Sequence, residues 1–375
     1  MRRAEIAYWC GIAFGLLFLV ILGPFERRIE LAHINDFSGL WSGARAVVLG
    51  IDPYEQHAWR AFVESSGVHD SGALVNDYFP WVSLALLPFG LVTVETAGWI
   101  WMVLTLGLAA LGLRALLRAY LPDRTAAHGV FGAALLVTQP GFHSFVLGQW
   151  AFLLLAAVSA AAVALRTGHP RRAGLAALAF LLKPHLFVFT ALRFAAERGV
   201  ARVAIVGGVV VVAVSTALFP QWIGAWLSDV GPVRIIRSAA LPVALGDVAG
   251  PAGTLIAYGL IAAGLVLAVR SFGLHGDASL AVWLALSSAG AIYTWSYDHL
   301  LLLVPLAIAA SVLLARDRPR RARAVVVGGL GTLLVLSPLL YALAVARHRE
   351  SFSALIPVLI FGLIVVALWP CRRPA

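Results

Sequence analysis

A chain of 375 residues in which 61% are hydrophobic and only 12% charged has too little polar surface to coat a soluble globule, and its mean hydropathy of +0.91 makes it a polytopic membrane protein. The formal charge of +10 raises nucleic acid as a partner, but the arginines are scattered between apolar runs and form no basic domain. Two cysteines, Cys10 and Cys371, stand too far apart in sequence to suggest a zinc site or a redox pair.

In chain order, Met1-Arg2-Arg3 precedes an apolar run to Gly23-Pro24, and no small-residue cleavage site follows Leu22, which predicts a retained signal anchor with a cytoplasmic amino end. Apolar runs that could cross a bilayer lie at about 6 to 24, 96 to 117, 127 to 142, 150 to 166, 172 to 182, 185 to 196, 200 to 219, 252 to 270, 278 to 294, 299 to 315, 324 to 345 and 352 to 369. That is roughly twelve membrane helices, within a range of about 10 to 13, in a single all-α integral membrane domain spanning residues 1–375. Two of these runs are short and flank Lys183-Pro184-His185, where proline removes a backbone donor. Trp81 to Val92 is too short to cross unaided and carries Pro88, so it reads as a re-entrant or interfacial helix.

With the N-terminus inside, 19 of the 28 basic residues fall on the cytoplasmic side, and Arg316-Asp317-Arg318-Pro319-Arg320-Arg321 is the strongest anchor. Asp36, Gln149, Lys183, His185, Arg234, Arg237, Asp298 and His299 then all fall at outer span ends or in outer loops. Both termini are expected in the cytoplasm, and two intervals, 25–95 and 220–251, are the only places for extracytoplasmic structure. The first holds helix signals: Asp36 could cap a helix that ends at Gly50, and Asp52 could cap a second beginning at Pro53. Two short amphipathic helices on the outer leaflet are the expectation.

The order Asp36-Phe37, then Gly50-Ile51-Asp52-Pro53-Tyr54, then Tyr78-Phe79-Pro80, Leu147-Gly148-Gln149 and Leu182-Lys183-Pro184 resembles glycosyltransferase family 87. The family's double proline is not kept at Phe79-Pro80. The resemblance implies a GT-C-type fold and an inverting transfer of a hexose, mannose above all, from a polyprenyl-phosphate sugar to an extracytoplasmic lipid or glycan acceptor. It makes the acid of the first outer loop, Asp36, the general base. A base must sit about 3 Å from the acceptor hydroxyl to take its proton.

The leaving lipid phosphate needs cations or donors where its charge develops, and Lys183, His185, His299, Arg234 and Arg237 are the candidates. Gln149, Asp298, Tyr54 and Tyr78 are the candidates for contacts to sugar or acceptor. No phosphate loop, His-Glu-x-x-His or Asp-x-Asp pair is present, which argues against a nucleotide-sugar donor and calls for no metal or other cofactor, the lipid-phosphate sugar being a substrate. The reading from another class is a transporter or flippase of lipid-linked sugars, since broken spans with a central lysine also suit a carrier. Polar groups gathered at one face favour the enzyme, and those at the midplane the carrier.

Overall fold

The computed structural model describes residues 2–22, 36–66, 75–229 and 238–369, which form helices and turns without a strand. The first helix, α1 (Arg2–Leu22), lies against α6 (Val94–Tyr120) and α7 (Thr125–Val137). Its contact with α7 depends on glycine: a Cβ on Gly11 would stand 2.2 Å from the Gly129 carbonyl oxygen, and one on Gly132 would stand 2.6 Å from that of Tyr8. Against α6 the bond is polar, because Tyr8 donates to the Ala110 carbonyl at 2.6 Å and Glu5 pairs with Arg114 and Arg118 at 2.6 and 3.4 Å. The start of α1 and the end of α6 therefore share one end of the bundle.

By length and composition, seven of the described helices could cross a membrane, or eight if the pair α7 and α8 (Gln139–Leu147), bent by 47°, is one span. The expectation of roughly twelve is thus not met. The run from 127 to 142 is divided by a turn at Thr138, the two runs on either side of Lys183 are short, and α9 (Ala151–Arg166) and α15 (Gly276–Ala289) are only 16 and 14 residues long.

The two runs around Lys183-Pro184-His185 form one hairpin. Its outgoing arm is α10 (Pro170–Ala177) and the tight turns Leu178–Leu182, and its return arm is Pro184–Leu186 and α11 (Val188–Ala195). Helix α12 (Arg198–Leu218) runs beside the outgoing arm: Cβ atoms added to Gly199, Gly174 and Gly207 would touch Pro170, Val203 and Leu178. The outgoing arm therefore begins, and the return arm ends, at the level where α12 begins, and Lys183 is the tip. Tight turns and Pro184 shorten the arms, so neither is long enough to cross alone.

The remaining helices are α13 (Trp222–Asp229), α14 (Leu241–Phe272), α16 (Leu303–Ala315), α17 (Pro319–Gly331), α18 (Ser337–Arg347) and α19 (Leu355–Leu368). Helix α14 is broken at Ala249 and Gly250, where a φ of +60° next to Pro251 ends one ladder and starts another. Along the basic end lie Arg166, paired with Asp277 at 2.5 Å, and Arg193, paired with Glu197 at 3.1 Å.

At the opposite end, the interval after α1 folds as the short helices α2 (Asp36–Val48), α3 (Gln56–Ser66), α4 (Pro80–Ala85) and α5 (Leu87–Gly90). As expected, α2 stops at Gly50, which adopts a φ of +72° while its amide and that of Ile51 close on the carbonyls of Val47 and Ala46. Asp52 is not the cap of α3. It accepts from the Tyr54 amide at 2.8 Å in a local turn, and the cap is Glu55, whose two oxygens accept from His57 and Ala58 at 3.0 and 2.6 Å. Those two amides hold the Glu55 carboxyl below its ordinary pKa. Helix α2 rests on α5 through Gly90, where a Cβ would stand 2.8 Å from the Ala44 backbone, and Trp41 donates to the carbonyls of Phe89 and Val92 at 3.1 Å.

Gly11→Ala is expected to overpack the α1–α7 contact and cost about 1–3 kcal/mol, read as a lowered unfolding temperature of the purified protein in detergent. An unchanged unfolding temperature would mean that α1 does not seat at this distance.

Candidate active site

The site is assembled from turns that glycine and proline impose on otherwise apolar chain. Gly148 ends α8 in the left-handed region, at a φ of +65°, and a Cβ there would lie 2.7 Å from that of Phe37. Only glycine meets both demands. Trp101 fastens the turn by donating to the Gly148 carbonyl at 2.8 Å, while its ring stacks on Phe37 at 5.8 Å and meets Trp150 edge-on at 5.0 Å. The next side chain, Gln149, is 3% exposed and donates its amide to Asp36 at 2.5 Å. Asp36, the first residue of α2, is exposed, so a solvent-facing carboxylate is steadied from below by a buried amide.

Lys183, at the tip of the hairpin, forms an ion pair with Asp298 at 2.9 Å, with the two side chains 9% and 2% exposed. Its ammonium also lies 4.6 Å from the centre of the Tyr297 ring. Asp298 is held in turn by the turn that precedes α16: its second oxygen accepts from the Trp295 amide at 3.1 Å. Lys183 is therefore not a snorkelling side chain; it has a partner inside the protein. One of its three N–H donors serves Asp298.

These two units adjoin. The Tyr297 hydroxyl lies within electrostatic reach of Asp298, Asp36, Tyr293 and Tyr78. Tyr78 in turn is beside the first turn of α2, where a Cβ on Gly39 would touch its ring at 3.6 Å. The hairpin tip is tied to the short helix α4 by Trp81, which donates to the Leu181 carbonyl at 2.9 Å. His185 sits beside the tip with its ring edge-on to Tyr293 at 5.2 Å.

The structure thus brings together Asp36, Gln149, Tyr78, Lys183, His185 and Asp298. Tyr54, expected to touch sugar or acceptor, is instead 2% exposed among Val75, Phe219 and Trp222 and donates its hydroxyl to the Tyr78 carbonyl. It positions Tyr78. His299 is 1% exposed, and neither of its ring nitrogens has solvent contact or a partner among the described residues, which closes it off from the open face. Arg234 and Arg237 lie outside the described residues.

Sequence reasoning missed a polar layer beneath this cluster. Gln139 donates to Ser296 at 3.1 Å and accepts from Ser337 at 2.6 Å, and its amide nitrogen meets Nδ1 of His143 at 3.0 Å, all of them buried. Glu350 accepts from the Ser296 amide at 2.8 Å. The spacing of Gln139 and His143, one helical turn apart within an apolar run, is the signal that could have found the first two.

Residues 77–238 match the model of glycosyltransferase family 87, the family that the motifs resemble. No curated protein and no solved structure matches the chain. The match indicates a membrane glycosyltransferase. It takes in Tyr78, Gln149, Lys183 and His185 and ends short of Asp298, while Asp36 precedes it.

Lys183→Met leaves Asp298 buried without its counter-charge and is expected to destabilise the protein by about 3–5 kcal/mol. The pair Lys183→Met and Asp298→Leu should recover most of that loss, as read from unfolding midpoints of the single and double variants. Additive losses in the double variant would dissolve the ion pair as an energetic unit.

Proposed function

We propose that this chain is an inverting glycosyltransferase that moves a hexose, mannose in our reading, from a polyprenyl phosphate to an extracytoplasmic lipid or glycan acceptor, with Asp36 as general base. The observation that carries it is the exposed Asp36 carboxylate held by buried Gln149 beside the buried Lys183–Asp298 pair. In the reaction the acceptor hydroxyl gives its proton to Asp36 as its oxygen bonds to the anomeric carbon. The bond from that carbon to the lipid phosphate breaks, and the electron pair leaves with the phosphate.

An exposed carboxylate can meet an incoming acceptor, and Gln149 orients it without neutralising it. The charge that develops on the departing phosphate falls to the hairpin tip, where Lys183 and His185 are the groups at hand and low surrounding polarity strengthens each contact. This reading requires no metal or other cofactor, since the lipid-phosphate sugar is consumed.

The arginine-rich end of the bundle faces the cytoplasm in this reading, with both termini, and the Asp36 end faces outward. Thiol reagents that cannot cross the membrane should then label His57→Cys and spare Asp317→Cys in intact cells. The reverse pattern would put Asp36 inside and overturn the assigned side.

Asp36→Asn tests the chemistry. Asn caps a helix nearly as well as Asp, so a purely structural Asp36 predicts a stability change well under about 1 kcal/mol and undiminished transfer. As general base, Asp36 predicts preserved folding and donor binding with transfer from polyprenyl-phosphate-mannose reduced about 10²- to 10⁴-fold. Transfer at the wild-type rate by a stable Asp36→Asn protein would sink the assignment.

A further inference from the structure

Glu350 occupies a position that general packing does not explain. Helix α18 ends at His348, which adopts the left-handed conformation at a φ of 54°, a state that costs a residue with a Cβ about 1 kcal/mol or more. The turn it makes is then fastened from both sides of Glu350. Arg349 pairs with Asp247 of α14 at 2.9 Å, and the Ser351 hydroxyl donates to the other oxygen of the same carboxylate at 2.6 Å. With its two neighbours held outward on one aspartate, Glu350 is turned the other way, onto the Ser296 amide at 2.8 Å.

Among the described residues no cation pairs with it: the adjacent Arg349 pairs with Asp247, and Lys183 with Asp298. Its carboxylate is half-buried, held by Ser296 on one side and open on the other. Burial, together with the charges of Asp298 and Asp36, pushes its pKa up, while the Ser296 amide works against that. The left-handed turn and the two-armed clasp on Asp247 thus aim a half-buried carboxylate at Ser296 and the Asp298 turn, which is the placement of a ligand contact.

Its location narrows the ligand. Glu350 is within electrostatic reach of both Asp298 and Asp36, and its anchor Ser296 is two residues from Asp298. In the reading given above, Asp36 meets the acceptor and the Lys183–Asp298 pair lies by the phosphate, so the group between them is the sugar in transit. We propose that Glu350 is a sugar-binding carboxyl of the active site, taking a hydroxyl of the transferred hexose on its half-buried carboxylate, and that Asp247 is the positioning residue that aims it. The assignment rests on the glycosyl-transfer reading.

Binding of two lipids to the full-length protein in nanodiscs separates the alternatives: polyprenyl phosphate, which lacks the sugar, and polyprenyl-phosphate-mannose, which carries it. Glu350→Ala should weaken the mannosyl lipid about tenfold or more and leave polyprenyl phosphate within about twofold, because only the former loses a hydrogen bond to a carboxyl group. Asp247→Asn, made at the periphery of the site, should shift the same ratio in the same direction by less, and it carries the test if Glu350→Ala does not yield folded protein. Equal loss for both lipids, or no loss for either, would overturn the assignment of Glu350 alone. Failure of the wild-type protein to bind the mannosyl lipid more tightly than polyprenyl phosphate would overturn the functional reading, and Glu350 with it.

Discussion

A lysine and an aspartate that meet where neither could remain charged alone hold the Asp36 end of this molecule in register. Each ion is costly to bury, and only their mutual attraction, the Tyr297 ring and the amide of Trp295 make the arrangement tenable. Because Lys183 is the tip of the hairpin and Asp298 belongs to the turn before α16, the pair works with the bonds of Thr190 on the return arm to Ser287 and Trp283 of α15 in setting the height of the tip. Trp81 then anchors on the hairpin through Leu181, and the aromatic cluster of Phe79, Trp81, Trp222 and Trp226 follows. The glycine-lined contacts of α1 with α7 set a rigid frame, but the ion pair decides where the polar groups sit inside it.

The same arrangement divides labour between accessible and inaccessible acids. Asp36 is open and accepts from the neutral amide of Gln149, so its carboxylate faces what arrives from outside the protein. Asp298 is closed and tied to a cation, so protonating it would strand Lys183. Two carboxylates in one cluster thus have different chemistry because their first partners differ, although the residue type is the same.

Much of this was legible in the residues. Gln149 stood out as a polar residue after an apolar run, and the helix from Asp36 to its glycine stop followed from capping rules. The fold gathers Asp36, Gln149, Lys183 and Asp298 at one end. Span counting ran high where hydropathy joined what a turn divides, as at Thr138, and where two arms of one hairpin were counted as two spans, as around Lys183. Asp52 misled because Glu55, with two oxygens in reach of two amides, makes the better cap. Glu350 was invisible for a different reason: between Arg349 and Ser351 it resembles a solvated loop charge, and only the left-handed turn at His348 faces it inward. The partner of Lys183 could not be read from spacing either, because it lies 115 residues away.

That separation bears on how the chain is made. The hairpin from Pro170 to Ala195 emerges from synthesis with a lysine at its tip and arms too short to cross, long before the residue that neutralises that lysine exists. Lipid would reject it in that state, so the tip must wait at the aqueous boundary while α12 to α15 are laid down. Only when the turn carrying Asp298 arrives can the charge move inward. The position of the tip is therefore settled by a contact distant in sequence, which can form only after Asp298 has been made.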